Sequence, residues 1–421
     1  MSVSTWPSVH LEDIVVDGPT NGYSPPAAAD GRGTLSLKLS ATTQGRLVLN
    51  ETTIKRLHET IPTASSLWLS PGDLLVQRSN TAELVGTAAI YDGPPDTYIY
   101  PDLMMRLRFR DPATTRWIWR YLNSSVGRRY LTSVAAGAAG SMPKISGAKL
   151  RAMPLPLPPL EEQRRIADIL DKADAIRRKR KEAIALTEQL LRSTFLEMFG
   201  DPVTNPKGWD MQCLRDICES KQYGTAEKCN SEERGLPVVR MNNISYTGGL
   251  DLTDLKWAEL APKEAEKLSL RSGDVLFNRV NSRELVGKTG VWHDEVGYTF
   301  AGYLIRLRAH PEIATGQYLS MAMNTTSMKR VLFNMAKPSI NMANISGSDL
   351  DRIHLSTPPL HLQKQFAALQ AQLNRTVARQ TAAIAASEAL LNALTDMLLS
   401  RNDGSDCLKR TTVEQLRLFE V

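Results

Sequence analysis

Hydrophobic and polar positions follow two different periods along this chain of 421 residues, and the change from one to the other happens twice. From about 5 to 155 and from about 205 to 355, short aliphatic or β-branched runs such as GTLSLKLS, GRLVLN, GDLLVQR and TYIYPDLMMRLRF are punctuated by Gly, Pro, Asn and Asp. This is the pattern of strands and turns, so both stretches are expected to be mostly β with a few helices. Each closes in a proline cluster, MPLPLPPLEEQ or LSTPPLHLQ, which keeps the backbone extended until a helix can begin. The spacing of apolar residues then becomes 3, 4 and 7. Leu160, Ile166, Ile169, Leu170, Ala173, Ile176, Ala183, Ile184, Leu190, Leu191 and Met198 mark the first stretch, and Leu362, Phe366, Leu369, Leu373, Val377, Ile384, Leu390, Leu391, Leu394 and Leu398 the second. Neither Gly nor Pro interrupts them, so each predicts a helix of about 40 residues and roughly 60 Å. The 3.5-like repeat favours a coiled coil of the two. The basic run from Arg177 to Lys181 reads as a solvated face.

The chain also repeats itself. PGDLLVQRSNTAELVG at 71–86 returns as SGDVLFNRVNSRELVG at 272–287. Trp6, Leu11, Asp13 and Ile14 match Trp209, Leu214, Asp216 and Ile217; RLR recurs at 106–108 and 306–308, ISG at 145–147 and 345–347, and Pro158-Pro159-Leu160 at 358–360. A period this long is a duplicated domain with its connector rather than a solenoid unit. If the halves are equivalent, a pseudo-twofold axis relates them and the two helices run antiparallel. The expected fold is α+β: two pseudo-twofold-related, mostly β heads at 1–155 and 201–355, separated by a long two-helix antiparallel coiled coil from 156–200 and 356–400, with a tail at 401–421.

Composition narrows the function. A net charge of +6 and a pI near 9.0 suit a polyanionic partner. No run of 18 apolar residues and no signal-peptide pattern is present, so no membrane partner is expected and the cytoplasm is the expected location. Cys213, Cys218, Cys229 and Cys407 show neither zinc nor disulfide spacing and are read as reduced thiols. The Gly287-Lys288-Thr289 triplet suggests a phosphate-binding loop, but Ser282 stands where that motif needs glycine. There is no G-x-G-x-x-G after a strand and no D/N-P-P-Y/F tetrapeptide. Asp251, Asp254 and Lys256 lack a third nuclease-like ligand, and none of the six histidines has a nucleophile at a telling spacing. No catalytic residue, metal or cofactor of its own is expected.

The segment Pro156-Leu157-Pro158-Pro159-Leu160-Glu161-Glu162-Gln163 followed by RRIADILDKADA, its weaker copy from Pro358 to Gln363, and the two-fold repeat resemble the specificity (S) subunits of type I restriction-modification systems. The resemblance covers residues 1 to about 400 and leaves the tail without a role. It implies a non-catalytic subunit in which each head, a target recognition domain, reads one half of a bipartite double-stranded DNA site. The implied partners are two methyltransferase subunits, on which S-adenosylmethionine is expected, and restriction subunits in full assemblies. The rival readings are a self-sufficient DNA methyltransferase or nuclease, or a coiled-coil scaffold without DNA contact.

For DNA contact, the first head offers Arg106, Arg108, Arg110, Arg116, Arg120, Arg128 and Arg129 against Asp111, interleaved with Trp117, Trp119 and Tyr121; the second offers Arg306, Arg308, Lys329 and Arg330. Such a surplus suits phosphates, while the tryptophans are expected in the core. Positions identical in both heads cannot encode two different half-sites. Gly72/Gly273 and Asp73/Asp274 therefore read as turn chemistry, Leu75/Leu276 as core, and Arg78/Arg279 and Asn80/Asn281 as phosphate positioning or support. Base readers should be polar and divergent: Gln77 against Asn278, Ser79 against Val280, and Lys38 and Ser40 against Arg240, Asn242 and Asn243.

Overall fold

A computed structural model describes residues 6–27, 32–137, 142–293, 297–339 and 342–399. The tail at 401–421, Cys407 within it and the side chains of Leu390, Leu391, Leu394 and Leu398 lie outside the described residues. The chain divides into two compact units, 1–181 with 382–421, and 182–381. The boundaries expected from the sequence fall at the ends of the long helices, whereas compactness divides both helices near their middles. The reason is that the first long helix packs its start, Ile166 and Leu170, into the first head and its end, Phe195 and Phe199, into the second, which also holds Phe366 at the start of the second long helix.

In the first unit β1 (Val15–Asn21), β2 (Leu74–Gln77), β3 (Ala88–Ile90) and β4 (Met104–Phe109) form an antiparallel sheet in the order β1-β4-β2-β3. Helices α1 (Pro112–Asn123) and α2 (Ser125–Val134) follow, with Asp111 and Ser124 capping their first turns. A second layer places Leu35–Leu37 between antiparallel Ile54–Arg56 and parallel Tyr98–Ile99. Successive strand residues point to opposite faces. Leu74 and Val76 accordingly meet Trp117 and Leu122 on the helical side, while Leu75 meets Leu37, Tyr91 and Tyr100 on the other. Burial on both faces explains why LLV is an unbroken apolar run. The helix α3 (Leu160–Phe199) enters this core through Ile166, Leu170 and Ala173.

The second unit repeats the plan with β5 (Cys218–Tyr223), β6 (Val275–Asn278), β7 (Thr289–Val291) and β8 (Leu304–Ala309) in the order β5-β8-β6-β7. Helices α4 (Gly316–Met323) and α5 (Thr326–Met335) precede the long α6 (Leu360–Leu399). Register repeats as well: Leu75 lies opposite Ala89 and Arg106, and Leu276 opposite Gly290 and Arg306. Gly22 and Gly224 occupy matching crossings where a Cβ would come within 2.1 Å of the Tyr100 carbonyl and 2.3 Å of the Phe300 carbonyl, so neither position accepts a side chain. A small sheet of Val280–Asn281, Met342–Asn344 and Lys337–Ser339 stands in the second unit where the first has bridges from Lys144 to Ser79 and Ala136.

A two-stranded sheet precedes each long helix: Pro154–Pro156 pairs with Ser8–His10 on an edge where a missing N–H is tolerated, and His354–Thr357, just before Pro358 and Pro359, pairs with Asp210–Cys213. The glutamine that ends the shared motif then fastens the helix to the prolines. Gln163 Nε2 donates to the Pro158 carbonyl at 2.7 Å, and Gln363 Nε2 to that of Pro358 at 2.8 Å. Gln363 also donates to the Ile313 carbonyl at 3.0 Å and accepts from the Thr315 N–H at 2.9 Å, which ties α6 to its head.

Within the first unit, Arg180 donates to Ser387 at 2.9 Å and Lys181 pairs with Glu388 at 3.0 Å. The basic run is therefore turned in part toward the other long helix rather than wholly to solvent. Within the second unit, Phe195 and Phe199 of α3 pack on Phe366 of α6 and on Tyr318, with ring centroids 5.2–5.6 Å apart. Each unit thus joins early residues of one helix to late residues of the other, the order of an antiparallel pair. The stripe read from the sequence is incomplete: Leu190 is exposed, as is Leu186 beside it.

Candidate nucleic-acid interface

The shared RLR and Gly-Asp motifs meet inside each head. Alternation along β2 sends Asp73 and Leu75 to one face, and alternation along β4 sends Arg106 and Arg108 to the same face. Arg108 Nε reaches Asp73 at 2.5 Å and its Nη2 at 3.0 Å; Arg106 pairs with Asp17 at 2.7 Å and donates to the Ser66 carbonyl. In the second head Arg308 grips Asp274 with two bonds of 2.7 and 2.8 Å, and Arg306 donates to the Ser269 carbonyl at 2.8 Å. The hydrogen bonds to aspartate raise Arg108 and Arg308 above the usual arginine range, whereas burial lowers Arg306. Arg106, Arg108, Arg306 and Arg308 were expected at phosphates. In the chain as folded their guanidinium groups are engaged by the carboxylates of Asp17, Asp73 and Asp274 and by the Ser66 and Ser269 carbonyls.

Four of the proposed base readers are likewise inside. Gln77 is fully buried, with its amide donating to the Leu39 carbonyl at 3.1 Å and to Thr42 at 3.0 Å while accepting from Asn80 at 2.6 Å. Asn278 is its counterpart one methylene shorter, also fully buried, and neither amide atom finds a partner among the described residues. Ser79 is buried with its hydroxyl unpartnered, and Asn243 is buried by bonds to the Asp251 and Asp254 carbonyls at 2.8 and 2.9 Å. As folded, none of the four reaches a groove. Their divergence between heads is a difference in packing, which a purely sequence-based comparison cannot tell from a difference in readout.

The arginine surplus of the first head is also smaller than it looks. Arg116 pairs with Asp168 and Asp171 of α3 at 2.7 and 2.6 Å; Arg120 pairs with Asp171 at 2.6 Å and with Asp174; Arg164 returns to Asp111 at 3.0 Å. The opposing acids lie about 50 residues away in sequence. Trp117 donates to the Pro156 carbonyl at 3.0 Å and lies in the core, as expected, whereas Trp119, which donates to the Gly45 carbonyl at 2.7 Å, is half-buried beside a cavity.

Among the candidates, those turned to solvent are Ser40, Arg110, Arg129, Asn242 and Arg330. Half-buried are Lys38, which donates to the Thr52 carbonyl at 3.0 Å, Arg240, paired with Asp254 at 3.0 Å, Arg128, which donates to the Glu83 carbonyl at 2.7 Å, and Lys329, which donates to the Gly287 carbonyl at 2.7 Å. Arg78, Asn80 and Asn281 are half-buried beside them, and Arg279 lies 5.1 Å from the Tyr223 ring centroid. Lys38 precedes, and Ser40 lies within, a short helical turn at Leu39–Ala41, matched by Arg240 and by Asn242 within the turn Met241–Asn243. The two proposed base readers that face solvent, Ser40 and Asn242, therefore sit on one equivalent turn.

Rival chemistry finds no geometry here. Thr289 of the Gly-Lys-Thr triplet opens a strand, not a helix, and Lys288 is buried with its ammonium on the Met241 carbonyl at 2.7 Å. Asp251 caps Thr253, Asp254 holds Arg240, and Lys256 donates to Ser231. Among the described residues no group of three or more His, Cys, Asp or Glu could hold a metal, no helix is long and apolar enough to cross a membrane, and Cys213, Cys218 and Cys229 are free thiols.

Comparison with known proteins agrees with this anatomy. The family model for the type I restriction modification DNA specificity domain matches residues 48–186 and 206–386, one copy per head with its following helix. The chain belongs to that family, whose members are non-catalytic specificity subunits. The EcoKI specificity subunit of Escherichia coli K12 is 24% identical over 320 residues, 72% of this chain and 68% of that one. The MjaX specificity subunit of Methanocaldococcus jannaschii is 28% identical over 174 residues, a match spanning 41% of either chain. Of solved structures, the S subunit from M. genitalium superposes with TM-score 0.55 at 14% identity over 94% of this chain and 96% of that one. A chain from a type I R-M system gives TM-score 0.53 at 22% identity, covering 94% and 97%.

Proposed function

We propose that this chain is the DNA-reading subunit of a type I modification complex, each head recognising one half of a bipartite double-stranded target. It docks two methyltransferase subunits, which carry the S-adenosylmethionine, and restriction subunits where the system has them; its working compartment is the cytoplasm. The observation that carries this reading is the split between shared and divergent residues. The shared polar set, Arg106/Arg306, Arg108/Arg308 and Asp73/Asp274, is consumed in building one frame twice. The pair Ser40 and Asn242, with Lys38 and Arg240 beside it, is left to differ on an equivalent solvent-facing turn, where asparagine and arginine can discriminate base edges. Arg129 and Arg330, exposed and shared, suit phosphate positioning, which fixes register without carrying sequence information.

The test is reconstitution. The purified chain given S-adenosylmethionine and DNA should transfer no methyl group, and adding a methyltransferase partner should produce adenine methylation at a split site. Methyl transfer by the chain alone would favour a self-sufficient enzyme. Absence of DNA binding even beside the partner would favour a scaffold.

A further inference from the structure

The second unit contains a cavity of about 610 Å³, of whose lining the DNA-reading proposal uses only Arg330, a size within the range of small-molecule sites. Its lining joins cations to aromatic rings. Lys329 donates one hydrogen bond, to the Gly287 carbonyl, and lies 5.2 Å from the Tyr246 ring centroid; among the described residues it forms no ion pair. Burial, and then the neighbouring Lys288 ammonium, push it down to about 7. Arg283 lies 4.3 Å from the Phe333 ring centroid, and both Tyr246 and Phe333 are exposed. Arg330 completes the basic side. Asp201, on the same wall, is already taken by Ser327 at 2.5 Å and by the Val203 and Thr204 N–H groups. Asn324 Oδ1, also at the cavity, is a buried acceptor without a partner among the described residues.

The repeat supplies an internal control. Glu83/Glu284 and Leu131/Leu332 align the two heads across this region. In that alignment Arg283 stands against Ala82, Lys288 against Thr87 and Phe333 against Thr132, so these three belong to the second unit alone, while Lys329 and Arg330 align with Arg128 and Arg129. Residues needed to read two half-sites in the same way would be expected in both heads.

We propose that this cavity binds a nucleoside phosphate: the phosphate against Lys329 and Arg283, the base on the exposed rings, and a base N–H donor on Asn324 Oδ1. Lys329, Arg283 and Asn324 Oδ1 then each have a partner, with the Glu284 carboxylate, also on the lining, as the opposing charge. Rings of this kind stack any base, and cations over them add to the attraction. The nucleotide is either free or part of a DNA strand, and the two sources are distinguishable.

The test is calorimetric titration of the full chain with adenosine monophosphate, adenosine, inorganic phosphate and a short single-stranded DNA. The monophosphate is expected to bind once per chain, at least about tenfold tighter than adenosine or phosphate, because both halves of the ligand are recognised. Lys329→Gln and Arg283→Ala should each weaken it about fivefold or more, and Arg128→Gln in the first unit should leave it unchanged. Arg283 is exposed, so its variant keeps the test valid if the Lys329 variant fails to fold. Competition by the oligonucleotide with the same dependence on these residues assigns the ligand to a strand, and binding of the monophosphate alone assigns it to a free nucleotide. No saturable binding of either at millimolar concentration, or binding that Arg283→Ala leaves unchanged, overturns the proposal.

Discussion

Replacing Arg308 by alanine separates a guanidinium that builds the head from one that touches DNA. Asp274 is buried, accepts both Arg308 bonds and a third from the Arg271 N–H at 2.9 Å, and has only Arg306 Nε, 3.9 Å away, as a second cation. Breaking a buried pair by removing one partner costs about 3–5 kcal/mol. Because the Arg308 side chain is 22% exposed and Arg306 remains, the lower end, about 3 kcal/mol, is expected. Asp274→Asn should cost a similar amount, and the double variant should be less destabilised than the sum, with a coupling of about 1–3 kcal/mol. The assay is hydrogen exchange read by mass spectrometry over β6 and β8, with thermal unfolding as a second readout; for a unit of this size the midpoint should fall by about 6–12 °C. In DNA binding measured against salt, the folded Arg308→Ala protein should keep its slope, since each lost phosphate contact lowers it by about 0.9. Unchanged exchange together with a slope reduced by about one would place Arg308 at a phosphate and refute the argument.

The two heads hold their helices by different forces, so salt should separate them. Raising ionic strength to about 1 M screens the half-exposed ladder of Arg116 and Arg120 with Asp168, Asp171 and Asp174, and exchange over 160–175 should accelerate while 360–375, seated on Phe366 and Tyr318, holds; equal responses would contradict the assignment. Gln363→Leu should destabilise the second unit by about 1–3 kcal/mol, because the Thr315 N–H and the Pro358 and Ile313 carbonyls lose their partner; a change below about 0.5 kcal/mol in denaturant titration would deny it that latch role. Gly224→Ala should prevent folding of the second unit, seen as loss of its exchange protection, since its Cβ would overlap the Phe300 and Ala301 carbonyls at 2.3 Å; a stable variant would show that the crossing can open.

Much of the architecture was legible because it is written as period. Alternation and turn residues marked the strands, the 3-4 spacing marked two helices, and the repeat showed that both heads share one plan. Turn chemistry at Gly72-Asp73 and the core role of Leu75 also followed from local rules. What sequence reasoning missed depends on contacts distant along the chain. The acids facing Arg116 and Arg120 lie on α3, and Gln77 turns inward onto a carbonyl 38 residues away. The RLR and Gly-Asp pairing carried a readable signal: both motifs occur twice, and alternation puts Arg, Arg and Asp on one side of adjacent strands. Gln163 and Gln363 gave a similar signal, a polar residue kept in both copies at the fourth position of a helix. The difference between a buried Gln77 and an exposed Ser40 had no signal, since both sit beside apolar strand residues and burial is settled by the second layer.

The most direct measurement is a map of adenine methylation in cells whose copy of this chain carries residues 205–355 from a relative of different specificity, compared with cells carrying the parent. Two heads reading independently predict that one half of the methylated site changes while the other half keeps its sequence. A site that changed in both halves together, or that kept both, would contradict the account.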